Sequence, residues 1–78
     1  MNYRFLEIIE IKKSETGKTS VFEVVNKFGG KIIGHVYWNP IYRSYTFYPI
    51  SFSTYEQNTL KDIALFLEDL KSGKVELK

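Results

Sequence analysis

Up to Pro49 the chain alternates apolar and polar residues in short runs separated by turn-forming residues, and beyond it the apolar spacing lengthens to three and four. The first pattern is that of half-buried strands and the second that of an amphipathic helix. Tyr3–Lys13 is rich in aromatic and β-branched residues and ends in Ser14-Glu15-Thr16-Gly17-Lys18, a polar cluster whose glycine suits a tight turn. Thr19–Phe28 repeats the strand signature and meets Gly29-Gly30, a two-glycine hairpin signal. A third strand is predicted over Lys31–Trp38. Asn39-Pro40 stops it, because proline has no amide to donate and holds its predecessor extended, and Arg43–Ile50 is the fourth. Connections this short predict an antiparallel meander.

Leu60, Ile63, Ala64, Leu67 and Leu70 fall on one helical stripe, with Lys61, Asp62, Glu68, Asp69 and Lys71 around it. Ser53 with Glu56 matches a capping box and Thr54 with Gln57 offers a second register, while Lys71-Ser72-Gly73 makes a stop. The expected architecture is α+β: a four-stranded antiparallel meander followed by one C-terminal helix packed on one face. Residues 1–73 form the single domain and 74–78 a short tail.

Strand alternation then sorts side chains by face. Phe22, Val24, Ile32, Val36, Trp38, Tyr45 and Phe47 are assigned to the core beneath the helix. One helix covers one side of a sheet, so Val21, Val25, Ile33, Tyr37 and Tyr48 are left on the other, and strand one adds either Leu6 and Ile8 or Phe5, Ile9 and Ile11. A contiguous apolar patch of this kind marks a contact surface, most simply for a second copy of the chain, since two-fold dimers are the commonest oligomers. The competing arrangement is a strongly twisted sheet that buries both faces against itself as a partial barrel.

Composition narrows the class. Seventy-eight residues support one core, and 13 aromatics supply large buried area for so short a chain. The absence of cysteine excludes a disulfide framework and thiolate zinc sites and fits a reducing compartment. No apolar stretch approaches the roughly 18 residues of a membrane span, and the start has no signal-peptide pattern, so the chain reads as cytoplasmic. The net charge of +2 is small for a nucleic-acid domain, although residues 1–55 are basic and residues 56–78 slightly acidic.

Catalytic and metal chemistry find little support. His35, the single histidine, has no sequence-adjacent partner to orient it. Glu7, Glu10, Glu15 and Glu23 fit a salt-bridged strand surface better than a cleft carboxylate pair. Gly29-Gly30 lacks the Lys-Ser/Thr of a phosphate loop, and no histidine, cysteine or Asp/Asn cluster has metal-ligand spacing. The expectation is a non-catalytic protein with no cofactor and no metal. Nucleic acid is the competing partner, through Arg4, Lys12, Lys31, Tyr42 and Arg43, because basic residues interleaved with aromatics form stacking platforms.

Gly34-His35-Val36-Tyr37-Trp38, Tyr42-Arg43-Ser44-Tyr45-Thr46-Phe47-Tyr48-Pro49 and Leu60-Lys61-Asp62-Ile63-Ala64-Leu65-Phe66-Leu67 carry a further signal. Together they resemble a group of small uncharacterised bacterial and phage proteins with a Gly-x-x-x-Trp segment, an aromatic-Arg-x-Tyr-x-Phe-x-Pro strand and a Leu-x-Asp-Ile-x-x-Phe helix. Many of those have tryptophan where this chain has Tyr42. The resemblance implies the fold and transfers no activity. At a coarser level the arrangement resembles the small DNA-reading domains at the N-termini of some phage-type integrases, a likeness of fold alone. Arg43 is the exception among the recurring residues, since a guanidinium beside a turn is placed to grip a carboxylate or phosphate. The sequence thus points to a binding module that engages protein, including itself, through Val21, Val25, Ile33, Tyr37, Arg43 and Tyr48.

Overall fold

The computed structural model describes residues 3–50 and 55–75. Four strands, β1 (Leu6–Lys13), β2 (Ser20–Asn26), β3 (Ile32–Asn39) and β4 (Ser44–Pro49), form one antiparallel sheet in sequence order, and a single helix, α1 (Gln57–Ser72), follows. Turn chemistry explains the order. In the β2–β3 connection Gly29 and Gly30 both take positive φ, and the Gly30 amide donates to the Asn26 carbonyl at 2.9 Å. In the β3–β4 connection the Asn39 side-chain oxygen accepts from the amides of Ile41 and Tyr42, so asparagine and not proline nucleates the bend.

The core lies between one sheet face and α1. Leu6, Ile8, Phe22, Val24, Ile33, Val36, Ile63 and Phe66 are buried together, with Phe22 and Phe66 meeting edge to face at 5.1 Å. Each of these two rings contributes about 2–3 kcal/mol through removal of apolar area from water. Leu6 and Ile8 fix the register of strand one: Ile9 points to the far side, and Ile11 sits at the bulge between Glu10 and Lys12.

Two core assignments are corrected. Val24 pairs with Gly34 but Val25 pairs with Ile32, which leaves Ile33 as an extra residue on β3. This bulge reverses the alternation, burying Ile33 to 4% exposure and turning Ile32 outward at 37%. The Ile33 carbonyl accepts from the Ile50 amide and the Tyr55 hydroxyl, both at 3.1 Å, which pins the bulge from two sides. On the helix, the buried stripe is Thr59, Ile63 and Phe66, with Leu67 and Leu70 half-buried, so Leu60 and Ala64 are exposed. Thr59 and Phe66 replace Leu60 and Ala64 on it while Ile63, Leu67 and Leu70 stay, so the stripe is turned by roughly 50°, about half the rotation of one residue. Two polar contacts hold it there: Asp62 accepts from the Phe5 amide at 2.7 Å and Asp69 from the Tyr3 hydroxyl at 2.8 Å. Burial, followed by the hydrogen bond to Asp69 and that negative charge, raises the Tyr3 pKa well above the ordinary phenol value.

Glu56 is the helix N-cap and not the third helical residue, for its backbone is extended and its carboxylate accepts from the Thr59 amide at 2.7 Å. Ser53 and Thr54, the expected caps, lie outside the described residues. Bonds from backbone amides near Asn58 and Thr59 hold the Glu56 carboxyl below its ordinary value of 4.5. A depressed folded-state pKa gives stability that is present above the unfolded value and lost as pH falls through the folded one. Glu56→Ala is therefore expected to lower the melting temperature by a few degrees at neutral pH, with the gap to wild type closing below about pH 4, followed by circular dichroism. A gap that persists unchanged at pH 3 would exclude the charged cap.

Gly73 closes α1 in the left-handed conformation, and the amide of Lys74 returns to the Asp69 carbonyl at 2.9 Å. Val75 packs against the core. No helix among the described residues is long and apolar enough to cross a membrane.

Candidate interaction surfaces

The sheet face away from α1 is left uncovered by any described element. Its side chains form three rows across the strands: Glu7–Val25–Ile32, Ile9–Glu23–His35–Tyr48, and Lys12–Val21 continued by Tyr37–Thr46. Tyr37 and Tyr48 stack on the diagonal with ring centroids 3.8 Å apart and planes within 5°. Val21, Val25 and Tyr48 are half-buried by their neighbours in the sheet, and Ile9, Ile32 and Tyr37 are exposed. The sheet thus does not curl far enough to hide both faces.

Four of the expected contact residues, Val21, Val25, Tyr37 and Tyr48, share this face. Ile33 does not: the bulge places it in the core, and Ile32 stands in its position. Glu23 is directly opposite His35 at the centre of the face, a neighbour that spacing along the chain could not reveal. No hydrogen bond or ion pair joins them among the described residues.

The five candidate nucleic-acid contacts separate. Lys12, Tyr42 and Arg43 lie at the end of the sheet that carries the β3–β4 turn, whereas Arg4 and Lys31 lie at the opposite end, across the length of the strands. Arg4 is placed over the Phe5 ring at 5.3 Å. The carboxylates of Glu7 and Glu23 stand on the face between the two groups.

A second surface is a groove of about 720 Å³ between the β3–β4 turn and α1. Trp38, Tyr45 and Ser44 form the sheet wall, Ala64, Leu67 and Leu70 the helix wall, and Tyr42, Arg43, Glu68 and Lys71 also line it. Trp38 belongs to the core side of the sheet, yet it is 40% exposed because it opens onto this groove, with one edge against Tyr45. Arg43 was not expected here, since the alternation puts it on the outward side. It closes the turn at φ 53, where a side chain costs about 1–2 kcal/mol relative to glycine. Sequence spacing missed the groove because Ala64 and Leu67 read as buried helix positions.

Among the described residues, no group of histidine, aspartate and glutamate side chains is arranged to hold a metal ion. No known protein family, curated protein or solved structure matches this chain.

Proposed function

We propose that this chain is a non-catalytic binding module whose open sheet face pairs with a second copy of itself. The observation that carries the reading is the central Glu23–His35 row within a ring of apolar side chains. Consider two copies stacked face to face about a two-fold axis that runs along the strands. The operation exchanges β1 with β4 and β2 with β3 while keeping each row in line. Glu23 of each copy then meets His35 of the other, Ile9 meets Tyr48, Val21 meets Tyr37 and Val25 meets Ile32. Aligned sheets pack at about −30°, so the axis is close to the strand direction that such packing requires. An axis across the strands sets Glu23 on Glu23, which like-charge repulsion and desolvation disfavour.

The nucleic-acid reading is weaker because its cations are divided between the two ends and two carboxylates lie between them. Sedimentation equilibrium across micromolar to millimolar concentrations tests the pairing. Wild type is expected to reach a dimer mass with little dependence on salt, and Val25→Lys to remain monomeric with an unchanged melting curve. Glu23→Lys is expected to weaken association at least about tenfold, and the double variant with His35→Glu to restore it. A monomer at every concentration, or no rescue by the double variant, rejects the arrangement.

A further inference from the structure

We propose that the groove beside the β3–β4 turn receives an extended acidic segment of a partner polypeptide laid along the outer edge of β4. This surface is separate from the open sheet face and does not depend on self-pairing.

The first observation is the hydrogen-bond parity of β4. The Ile50 amide donates to the Ile33 carbonyl, so the even-numbered residues of β4 turn their backbone groups toward β3. Those of Tyr45 and Phe47 therefore point off the sheet, and among the described residues no hydrogen bond takes up their amides. Pro49, at the next outward position, has no amide and ends the available edge. A short edge with alternating donors and acceptors matches another peptide backbone, the basis of strand addition.

The second observation is the groove itself. Trp38, Tyr45 and Leu67 line an apolar trough next to that edge, and its volume of about 720 Å³ lies within the range of ligand-binding clefts. The third is charge. Arg43 and Lys71 line the same trough, and neither has an ion pair among the described residues. They outnumber the single carboxylate of Glu68, so the trough favours an anionic occupant. Glu68 also argues against a phosphate backbone, which presents only negative charge along its length, whereas a peptide can offer its amide to that carboxylate. The strained Arg43 backbone keeps a guanidinium at a point where glycine would close the turn with less cost.

Trp38 is the chain's one tryptophan, so its emission reports occupancy of the trough directly. The probe is a capped hexapeptide alternating glutamate with valine, compared with its lysine-for-glutamate analogue and with an oligothymidylate. The glutamate peptide is expected to shift Trp38 emission saturably and to move the amide NMR signals of Tyr45 and Phe47. The lysine analogue is expected to bind at least tenfold more weakly. Arg43→Gln with Lys71→Gln is expected to weaken the glutamate peptide by a similar factor while leaving the thermal melt unchanged. N-methylation of the peptide's edge-facing amides is expected to abolish binding. Equal binding of the lysine peptide, silence of both emission and amide signals, or a response confined to the oligothymidylate and lost at high salt overturns the proposal.

Discussion

Lysine in place of Ile33 is expected to prevent folding, and lysine in place of its neighbour Ile32 to leave the fold intact while removing self-association. Ile33 is 4% exposed within the core cluster, and an ammonium placed there finds no carboxylate in that cluster. Loss of the isoleucine burial costs about 2–3 kcal/mol, and forcing a charge or a neutral amine into the site adds several more. Domains of this kind hold only about 5–15 kcal/mol in total, with the short ones near the bottom of that range. Ile32 points away from α1 and pairs with Val25, so its ammonium reaches water in the monomer and is buried only when a second copy docks. Circular dichroism melts and sedimentation of the two variants separate the outcomes. If both melt alike, β3 has no bulge.

Gly34→Ala is expected to lower stability by about 2–3 kcal/mol, or roughly 10–20 °C in melting temperature for a chain of this length. The reason is space and not backbone conformation. A methyl group at Gly34 meets the Tyr48 carbonyl oxygen at 2.6 Å and the Phe47 ring at 2.7 Å. The ring can rotate or withdraw, but the carbonyl belongs to the neighbouring strand and moves only if β3 and β4 separate. Combining Gly34→Ala with Phe47→Leu should recover part of the loss, since it relieves one of the two clashes. Gly30→Ala, where no atom lies within 4 Å, carries a strained φ of +72° alone and should cost less. Equal costs at the two positions would contradict the tight contact.

Much of the fold was readable because it rests on local rules. Proline, glycine and asparagine marked the connections, and the change from a period of two to one of three and four marked the helix. Phe22, Val24 and Val36 went to the core as alternation required. What escaped was a one-residue insertion in β3. The Ile32-Ile33 pair offers equal hydrophobicity to either face, so no composition signal said which of them turned inward; pairing with β2 and the contacts of the Ile33 carbonyl decided it. The helix stripe failed for a related reason. Leu60 and Ala64 fit the apolar spacing, but Asp62 and Asp69 must reach the chain at Phe5 and Tyr3, and those long-range bonds turn the helix so that Phe66 faces in. For the candidate surfaces, Val21, Val25, Tyr37 and Tyr48 were legible from alternation alone. The Glu23–His35 pairing and the meeting of Arg43 with Lys71 across the groove were not, because each joins residues that only the folded chain makes adjacent.

The bulge of β1 at Ile11 and the proline at the end of β4 bear on how large an assembly can grow. Runaway fibre growth needs a long, regular strand margin onto which the next molecule can zip. Here one margin is interrupted where Lys12 and Lys13 follow the irregularity, and the other runs out after two amides. If two copies stack through the broad side as proposed, that side is used up on both molecules, and growth would stop at a pair.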